Sequence, residues 1–354
     1  MSPASSSRYP PSSSQRLRER RTLRRKRILW ALIAIFIILP LIGALYQVIG
    51  AWLDKRNYPP PGQLVDVGGY RLHLYCLGEN TPGQATVILE TGLGGIGVAS
   101  PAWAWVQPQV AKTARVCAYD RAGLGWSDPG PKPRDARQIA AELHTLLQNS
   151  HTPGPYVLVG WSYGGLYMRA FAGQYRAEVA GLVLLDSSFP GQCDSTPAFH
   201  ANCASNARFS AMAPFLARLG ILRLIGHFQP ATGLPDLQRR QLLAAYSSPQ
   251  DWEAQNAEFQ AAPSTNVQVL KTETFGDLPL MVLTATQHGA SSDLEQLWQG
   301  WQTGYTALST NSFQWIVPGA THESLVFRST DASVTVEAIL EVVESARTGQ
   351  PLKR

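Results

Sequence analysis

Apolar residues along the chain fall into three patterns, and each predicts a different kind of element. The first is one long block: from residue 28 to residue 53 (ILWALIAIFIILPLIGALYQVIGAWL) no charge interrupts the run. A bilayer core needs about 20 apolar residues at a rise of about 1.5 Å each, so the block predicts a transmembrane helix. Pro40 falls inside it, which a membrane helix tolerates where neighbouring groups satisfy the freed carbonyl. The second pattern is a series of short runs. Residues 64–67 and 70–77 flank a Gly-Gly turn and read as a hairpin, followed by 86–89 (TVIL), 116–119 (VCAY), 156–159 (YVLV), 182–185 (LVLL), 280–284 (LMVLT) and 314–317 (QWIV). Runs this apolar suit strands buried on both faces. Helical stretches such as 135–148 separate most of them, which predicts a parallel sheet wrapped by helices. The third pattern is helical throughout: 209–225, 236–246 and 251–261 follow one another with no core strand between 186 and 280, as in a lid or cap. The chain closes on 330–347, an amphipathic helix with Val334, Val336, Ile339, Leu340 and Val343 on its buried side.

These patterns divide the chain into a basic tail (1–27), a transmembrane signal-anchor helix (28–50), a Pro-rich linker (51–62), a core in two parts (63–186 and 274–350) and a cap (187–273). The tail opens Ser/Pro-rich and is expected to be disordered, and residues 57–62 (NYPPPG) read as a stiff spacer. A length of 354 residues suits one large α/β domain with insertions, and 45% hydrophobic with 16% charged residues suits a packed core.

The net charge of +5 is unevenly placed. Residues 1–27 hold nine Lys/Arg against one acid, Glu19, a net +8 that leaves the rest of the chain at −3. A nucleic-acid-binding domain spreads its charge over a folded surface; here the charge stops where the apolar block begins, which excludes nucleic acid as a partner. Eight basic residues lie between Arg16 and Arg27 but only Lys55 and Arg56 follow the block closely, which predicts a cytoplasmic N-terminus and everything after Asp54 outside. A cleaved signal peptide would have an apolar region of about 7–15 residues and a small-x-small site. This block is longer, and Tyr46, Gln47 and Val48 make a poor site, so an uncleaved anchor in the cell membrane is expected.

Gly160-Trp161-Ser162-Tyr163-Gly164 follows the run YVLV directly and precedes a helical stretch. A G-x-S-x-G turn between strand and helix lifts the serine hydroxyl above a sheet and sets it at the helix N-terminus. Of the seven histidines only His322 stands in a turn after the last strand, where its ring can reach the nucleophile; His151, His200, His227 and His288 lack such a setting.

With these segments the chain resembles the α/β-hydrolase superfamily, over about residues 63–350. Glu90-Thr91-Gly92-Leu93-Gly94-Gly95 stands at the family's oxyanion loop, and Tyr119-Asp120-Arg121-Ala122-Gly123-Leu124-Gly125-Trp126-Ser127 is similar to its D-x-R-G-x-G-x-S turn. Val317-Pro318-Gly319-Ala320-Thr321-His322 is similar to its final strand and catalytic histidine. The resemblance implies an α/β-hydrolase fold: a mostly parallel eight-stranded sheet flanked by helices, with a helical cap and one preceding transmembrane helix. It implies Ser162 as nucleophile, His322 as base, and main-chain N–H groups of Leu93 and Tyr163 as the oxyanion hole. Many relatives have His-Gly where this chain has Thr91-Gly92, which changes the loop's support but not its donors. Trp161 and Tyr163 replace smaller residues and either shape the pocket or fill space under the turn.

The acid has two candidates. The family most often places it after the penultimate strand, but Gln287, His288 and Gly289 stand there and the nearest acids, Asp293 and Glu295, come later. Some relatives place it at the end of the sixth strand, where Asp186 sits; Asp186 is preferred, with Asp293 the alternative. Relatives acting as dehalogenases and epoxide hydrolases use an aspartate nucleophile, so Ser162 points instead to acyl transfer to water. No metal-ligand motif or phosphate loop is present, and no metal or cofactor is expected. Cys193 and Cys203 are expected to close a loop in an oxidising compartment, while Cys76 and Cys117 either pair or are small buried residues. The chain has no Asn-x-Ser/Thr sequon, which favours a bacterial periplasm or cell surface. The expected partners are a small ester or amide substrate and, through the N-terminal helix, the lipid bilayer. The leading function is an esterase or lipase-like hydrolase. A prolyl-aminopeptidase-like peptidase would need acids to hold a substrate amine, with Asp194, Glu253 and Glu258 available in the cap; a non-catalytic binding protein would predict decay of motifs that stand intact.

Overall fold

The computed structural model describes residues 13–93, 100–226, 233–271 and 274–352. Eight strands form one sheet: β1 (Gln63–Asp66), β2 (Arg71–Leu77), β3 (Thr86–Glu90), β4 (Val116–Tyr119), β5 (Tyr156–Trp161), β6 (Val179–Leu185), β7 (Leu280–Gln287) and β8 (Ser312–Thr321). Their order is β1-β2-β4-β3-β5-β6-β7-β8; the first two are antiparallel to their neighbours and the other six run parallel. All eight expected strands are present, and the chain has the α/β-hydrolase fold.

The strands read as unbroken apolar runs because each face of the sheet is covered. Ile88, Cys117, Leu158, Leu182 and Leu280 point into one core layer. Their immediate neighbours Val87, Val116, Val157, Val183 and Met281 point into the other. Period-two alternation is therefore between two buried faces instead of between core and water.

Among the described residues nine longer helices surround the sheet or precede it: α1 (Ser13–Asn57), α2 (Ala136–Asn149), α3 (Gly164–Gln174), α4 (Pro197–Arg218), α5 (Ile221–Gly226), α6 (Asp236–Tyr246), α7 (Pro249–Val269), α8 (Ser292–Tyr305) and α9 (Ser329–Thr348). Asp135 caps α2, its carboxylate accepting from Gln138 N at 3.1 Å. The helices α4 to α7 form the cap between β6 and β7. The expected single helix over 209–225 is two, because the chain turns at Gly220 in a left-handed conformation.

The N-terminal segment departs from expectation. Residues 13–27 were expected to be part of a disordered tail and 51–62 a linker, yet one helix, α1, runs unbroken from Ser13 to Asn57. Arg, Leu, Gln, Glu and Lys lose little side-chain freedom in a helix, so the basic stretch continues the helical ladder of the apolar block; residues 1–12 lie outside the described residues. Among the described residues α1 is the helix long and apolar enough to cross a membrane.

Both cysteine pairs are bonded. Cys76–Cys117 joins directly paired positions on β2 and β4, and Cys193–Cys203 closes a loop at the entrance to the cap. The denatured, unreduced protein should therefore take up no iodoacetamide, and four adducts after reduction, by intact mass spectrometry. Alkylation before reduction would show that a pair is open.

Candidate active site

The strand β5 is buried along its length and ends at Trp161. The next residue, Ser162, has φ of 58°, a conformation that residues with a Cβ rarely adopt. The turn has no spare room: a Cβ on Gly160 would lie 2.5 Å from Gly165 Cα, so only glycine lets strand and helix pass so closely. Ser162 N donates to Leu185 O and Ser162 O accepts from Ser188 N, each at 3.0 Å. These bonds tie the turn to the end of β6, where Asp186 also holds a left-handed φ, of 44°. Backbone strain of this kind persists only where the surroundings over-determine it, and it gathers at functional sites.

Asp186 is fully buried and its carboxylate accepts four hydrogen bonds. Its Oδ1 takes Trp298 Nε1 at 2.8 Å and Ala285 N at 3.1 Å; its Oδ2 takes His322 Nδ1 at 2.6 Å and His288 Nε2 at 2.7 Å. Burial alone would raise its pKa, but the hydrogen bonds from His288 and His322 outweigh that and hold it well below the usual carboxylate range. The other candidate acid, Asp293, is exposed in the first turn of α8 beside the Ser292 hydroxyl, and the structure does not bring it to His322.

His322 follows β8 in a turn closed by reciprocal bonds between Thr321 and Ser324. The Trp161 indole N–H donates to the His322 carbonyl at 3.0 Å, and the two rings lie 5.1 Å apart. The tryptophan of the turn is thus a brace for the histidine. Among the described residues no hydrogen bond joins Ser162 Oγ to His322 Nε2; the ring is held through Nδ1 on Asp186.

His288 corrects the sequence reading, which set it aside with His151, His200 and His227. His151 and His200 are exposed and His227 lies outside the described residues. But β7 lies between β6 and β8, so the residue after its end, His288, emerges beside Asp186. Its Nδ1 also meets Glu295 Oε1, at 2.7 Å. Both ring nitrogens face carboxylates, which accept only, so the ring fits as an imidazolium. Burial would lower its pKa, but Asp186 and Glu295 together raise it to about 9. The signal was available: the position after this strand is where the family most often keeps its acid, so a side chain there reaches the histidine–acid pair. Asp186, His288 and His322 also form the described group compact enough for a metal ion, with donor atoms within 4.8 Å. However, the two nearest imidazole nitrogens already lie within hydrogen-bond distance of Asp186 Oδ2, so the group is satisfied by its own hydrogen bonds.

The loop after β3, where the oxyanion hole is expected, stands against the serine, since a Cβ on Gly92 would lie 2.8 Å from Ser162 Cβ. Leu93 follows Gly92, and Tyr163 follows Ser162 at the start of α3; Gly94 and Gly95 lie outside the described residues. Arg121 fixes this loop by its main chain. Its Nη1 donates to Thr91 O at 3.0 Å and Glu90 Oε1 at 2.5 Å, and its Nη2 donates to Gly92 O at 3.0 Å. The same guanidinium makes a two-pronged bond to Glu258 of α7, both contacts at 2.8 Å. One buried cation thus serves two buried carboxylates. Burial lifts Glu90 to about 7 although Arg121 and Tyr119 pull it down. Of the other cap acids named from the sequence, Glu253 pairs with Arg218 and Asp194 is exposed.

Residues 85–211 match the family described as the alpha/beta hydrolase fold. An epoxide hydrolase, CorEH, superposes with a TM-score of 0.61 at 17% identity, covering 80% of this chain and 98% of that one. A thermophilic esterase from Thermogutta terrifontis gives 0.60 at 20% identity, covering 81% and 99%. These likenesses agree with the α/β-hydrolase fold of the chain. Among curated relatives, an uncharacterized protein of Schizosaccharomyces pombe is 31% identical over 153 residues, 36% of this chain; the match spans only 28% of that relative's length.

Replacing Arg121 with methionine leaves two carboxylates buried without their cation, and such losses cost about 3–5 kcal/mol. The urea midpoint should fall accordingly, and an unchanged midpoint would show that Arg121 does not hold Glu90 and Glu258 as buried ions. For His288, whose folded pKa of about 9 exceeds the ordinary value near 6.5, the stabilisation is complete below pH 6.5. It fades as pH rises toward 9 and is gone above it. The Tm of the native protein should drop between pH 6.5 and 9 more steeply than that of His288→Gln, and parallel curves would show that the ring is not held charged.

Proposed function

We propose that this chain is a membrane-anchored serine hydrolase that cleaves carboxylic esters through an acyl-enzyme on Ser162. The observation that carries this reading is the 2.6 Å bond from His322 Nδ1 to the buried Asp186 carboxylate, next to a serine on a strained turn. That bond commits Nδ1 as a donor and leaves Nε2 as the base. In the first half-reaction Ser162 Oγ attacks the ester carbonyl carbon while His322 Nε2 takes its proton. The tetrahedral oxyanion is held by the N–H groups of Leu93 and Tyr163, and collapse expels the alcohol, which receives the proton from His322. Water then attacks the acyl-enzyme with the same base, and the carboxylic acid departs.

His288 acts beside this triad as a positioning group. Its charge is balanced by Glu295, so it anchors Asp186 without cancelling the negative charge that Asp186 offers to the imidazolium of His322. An aspartate nucleophile of the epoxide-hydrolase kind is replaced here by Ser162. Of the three acids expected to be available for a substrate amine, Glu258 is committed to Arg121, Glu253 pairs with Arg218 and Asp194 is exposed. The basic stretch before the apolar block and the two disulfides support a cytoplasmic N-terminus with the catalytic domain on the oxidising side.

In detergent, the full-length protein should label with a fluorophosphonate probe at Ser162 and hydrolyse p-nitrophenyl esters in preference to aminoacyl amides. Absence of labelling in folded protein would remove the hydrolase reading. Asp186→Asn should lower turnover on the order of 10⁴-fold, while Asp293→Asn should match the native enzyme; the reverse result would reassign the acid.

A further inference from the structure

The anchor and the cap are packed on each other, and that contact fixes how deep the cap sits. At about 1.5 Å per residue the uncharged run of α1, residues 28–53, is about 39 Å long, more than a bilayer core of about 30 Å requires. Wherever the helix settles, any stretch of about 20 residues drawn from this run contains residues 34–47. Gly43 is therefore at hydrocarbon depth in every placement. It is also where the cap touches: a Cβ on Gly43 would fall 2.2 Å from Leu219 O, and one on Gly220 would fall 2.6 Å from Gly43 O. The two backbones meet with no side chain between them.

Around this contact the polar groups turn inward. Gln47 is buried, its amide donating to Ser247 O at 2.9 Å and its oxygen accepting from Arg223 Nε at 2.9 Å. Arg223 reaches on to Asp54 at 2.7 Å and is itself largely covered. The apolar groups do the opposite. Met212 and Phe215 on the last turns of α4, and Ile221, Leu224 and Ile225 on α5, flank the Leu219–Gly220 contact in sequence and are 37–63% exposed. A water-facing surface has the reverse arrangement, and charges at membrane depth are found paired and turned inside.

Given the reading that α1 spans a bilayer, we infer that this face of the cap is immersed in the outer leaflet, its occupant being lipid acyl chains. The cap then continues the apolar surface of the anchor, and the domain is embedded beside its helix instead of tethered above the membrane. The test uses the full-length protein in nanodiscs of phosphatidylcholine. The four native cysteines are bonded, so an environment-sensitive fluorophore can be placed through Met212→Cys, Leu224→Cys, Phe36→Cys on the anchor, or Lys112→Cys on an exposed polar surface. Each variant is first matched to the native melting curve. With doxyl-labelled acyl chains, Phe36, Met212 and Leu224 positions should lose half or more of their emission and Lys112 none. Quenching at Phe36 alone overturns the immersed cap and leaves the anchor standing. No quenching at Phe36 removes the anchor and the immersed cap with it. Protection of the cap positions by a second copy of the chain, seen as energy transfer between differently labelled copies without lipid quenching, also overturns it.

Discussion

Arg121 carries a positive charge to a place water does not reach, and two carboxylates from distant parts of the chain follow it there. Glu90 closes β3 and Glu258 lies in the cap, so neither could be buried without the guanidinium, and the guanidinium could not be buried without them. A desolvated ion stabilises little unless its geometry is complete. Here the remaining N–H groups go to Thr91 O and Gly92 O, which leads the oxyanion loop past the serine. The core's turn after β4, the loop after β3 and the cap helix α7 are therefore one electrostatic unit. The cap is held to the core by the same atoms that hold the loop beside Ser162.

The second charge cluster is built on the opposite sign. Asp186 lies at the centre, with imidazole rings from the ends of β7 and β8 converging on one oxygen and an indole on the other. Four hydrogen bonds are what allow a carboxylate to remain ionised with no exposure to solvent. Glu295 supplies a further negative charge on the far side of His288. The row Glu295–His288–Asp186–His322 thus alternates in sign when both rings are protonated, and a proton arriving on His322 completes the alternation.

Much of this was legible beforehand because it rests on local pattern. The eight strands follow from apolar runs, the turn at Ser162 from its glycines, and His322 from its place after the last strand. Asp186 was legible only as a preference, since Asp293 also preserves the order serine, acid, histidine; what separates them is that β6 ends inside the sheet and α8 begins in solvent. His288 and Trp298 were missed because their importance comes from strand order, which sets β7 between β6 and β8, and no spacing along the chain records that. The helical state of residues 13–27 was missed for another reason: the Ser/Pro-rich opening of the tail speaks for disorder, whereas the Arg, Leu, Gln, Glu and Lys that follow favour a helix.

The docking of α1 on the cap bears on how the protein is handled. A fragment cut free at residue 57 for ease of purification would leave Arg223 without Gln47 and without Asp54, and would bare the backbone at Gly220. Such a fragment has lost one wall of its cap. Its stability and its tendency to aggregate would then describe the damaged cap, so α1 is better counted as part of the folded domain than as a removable leash.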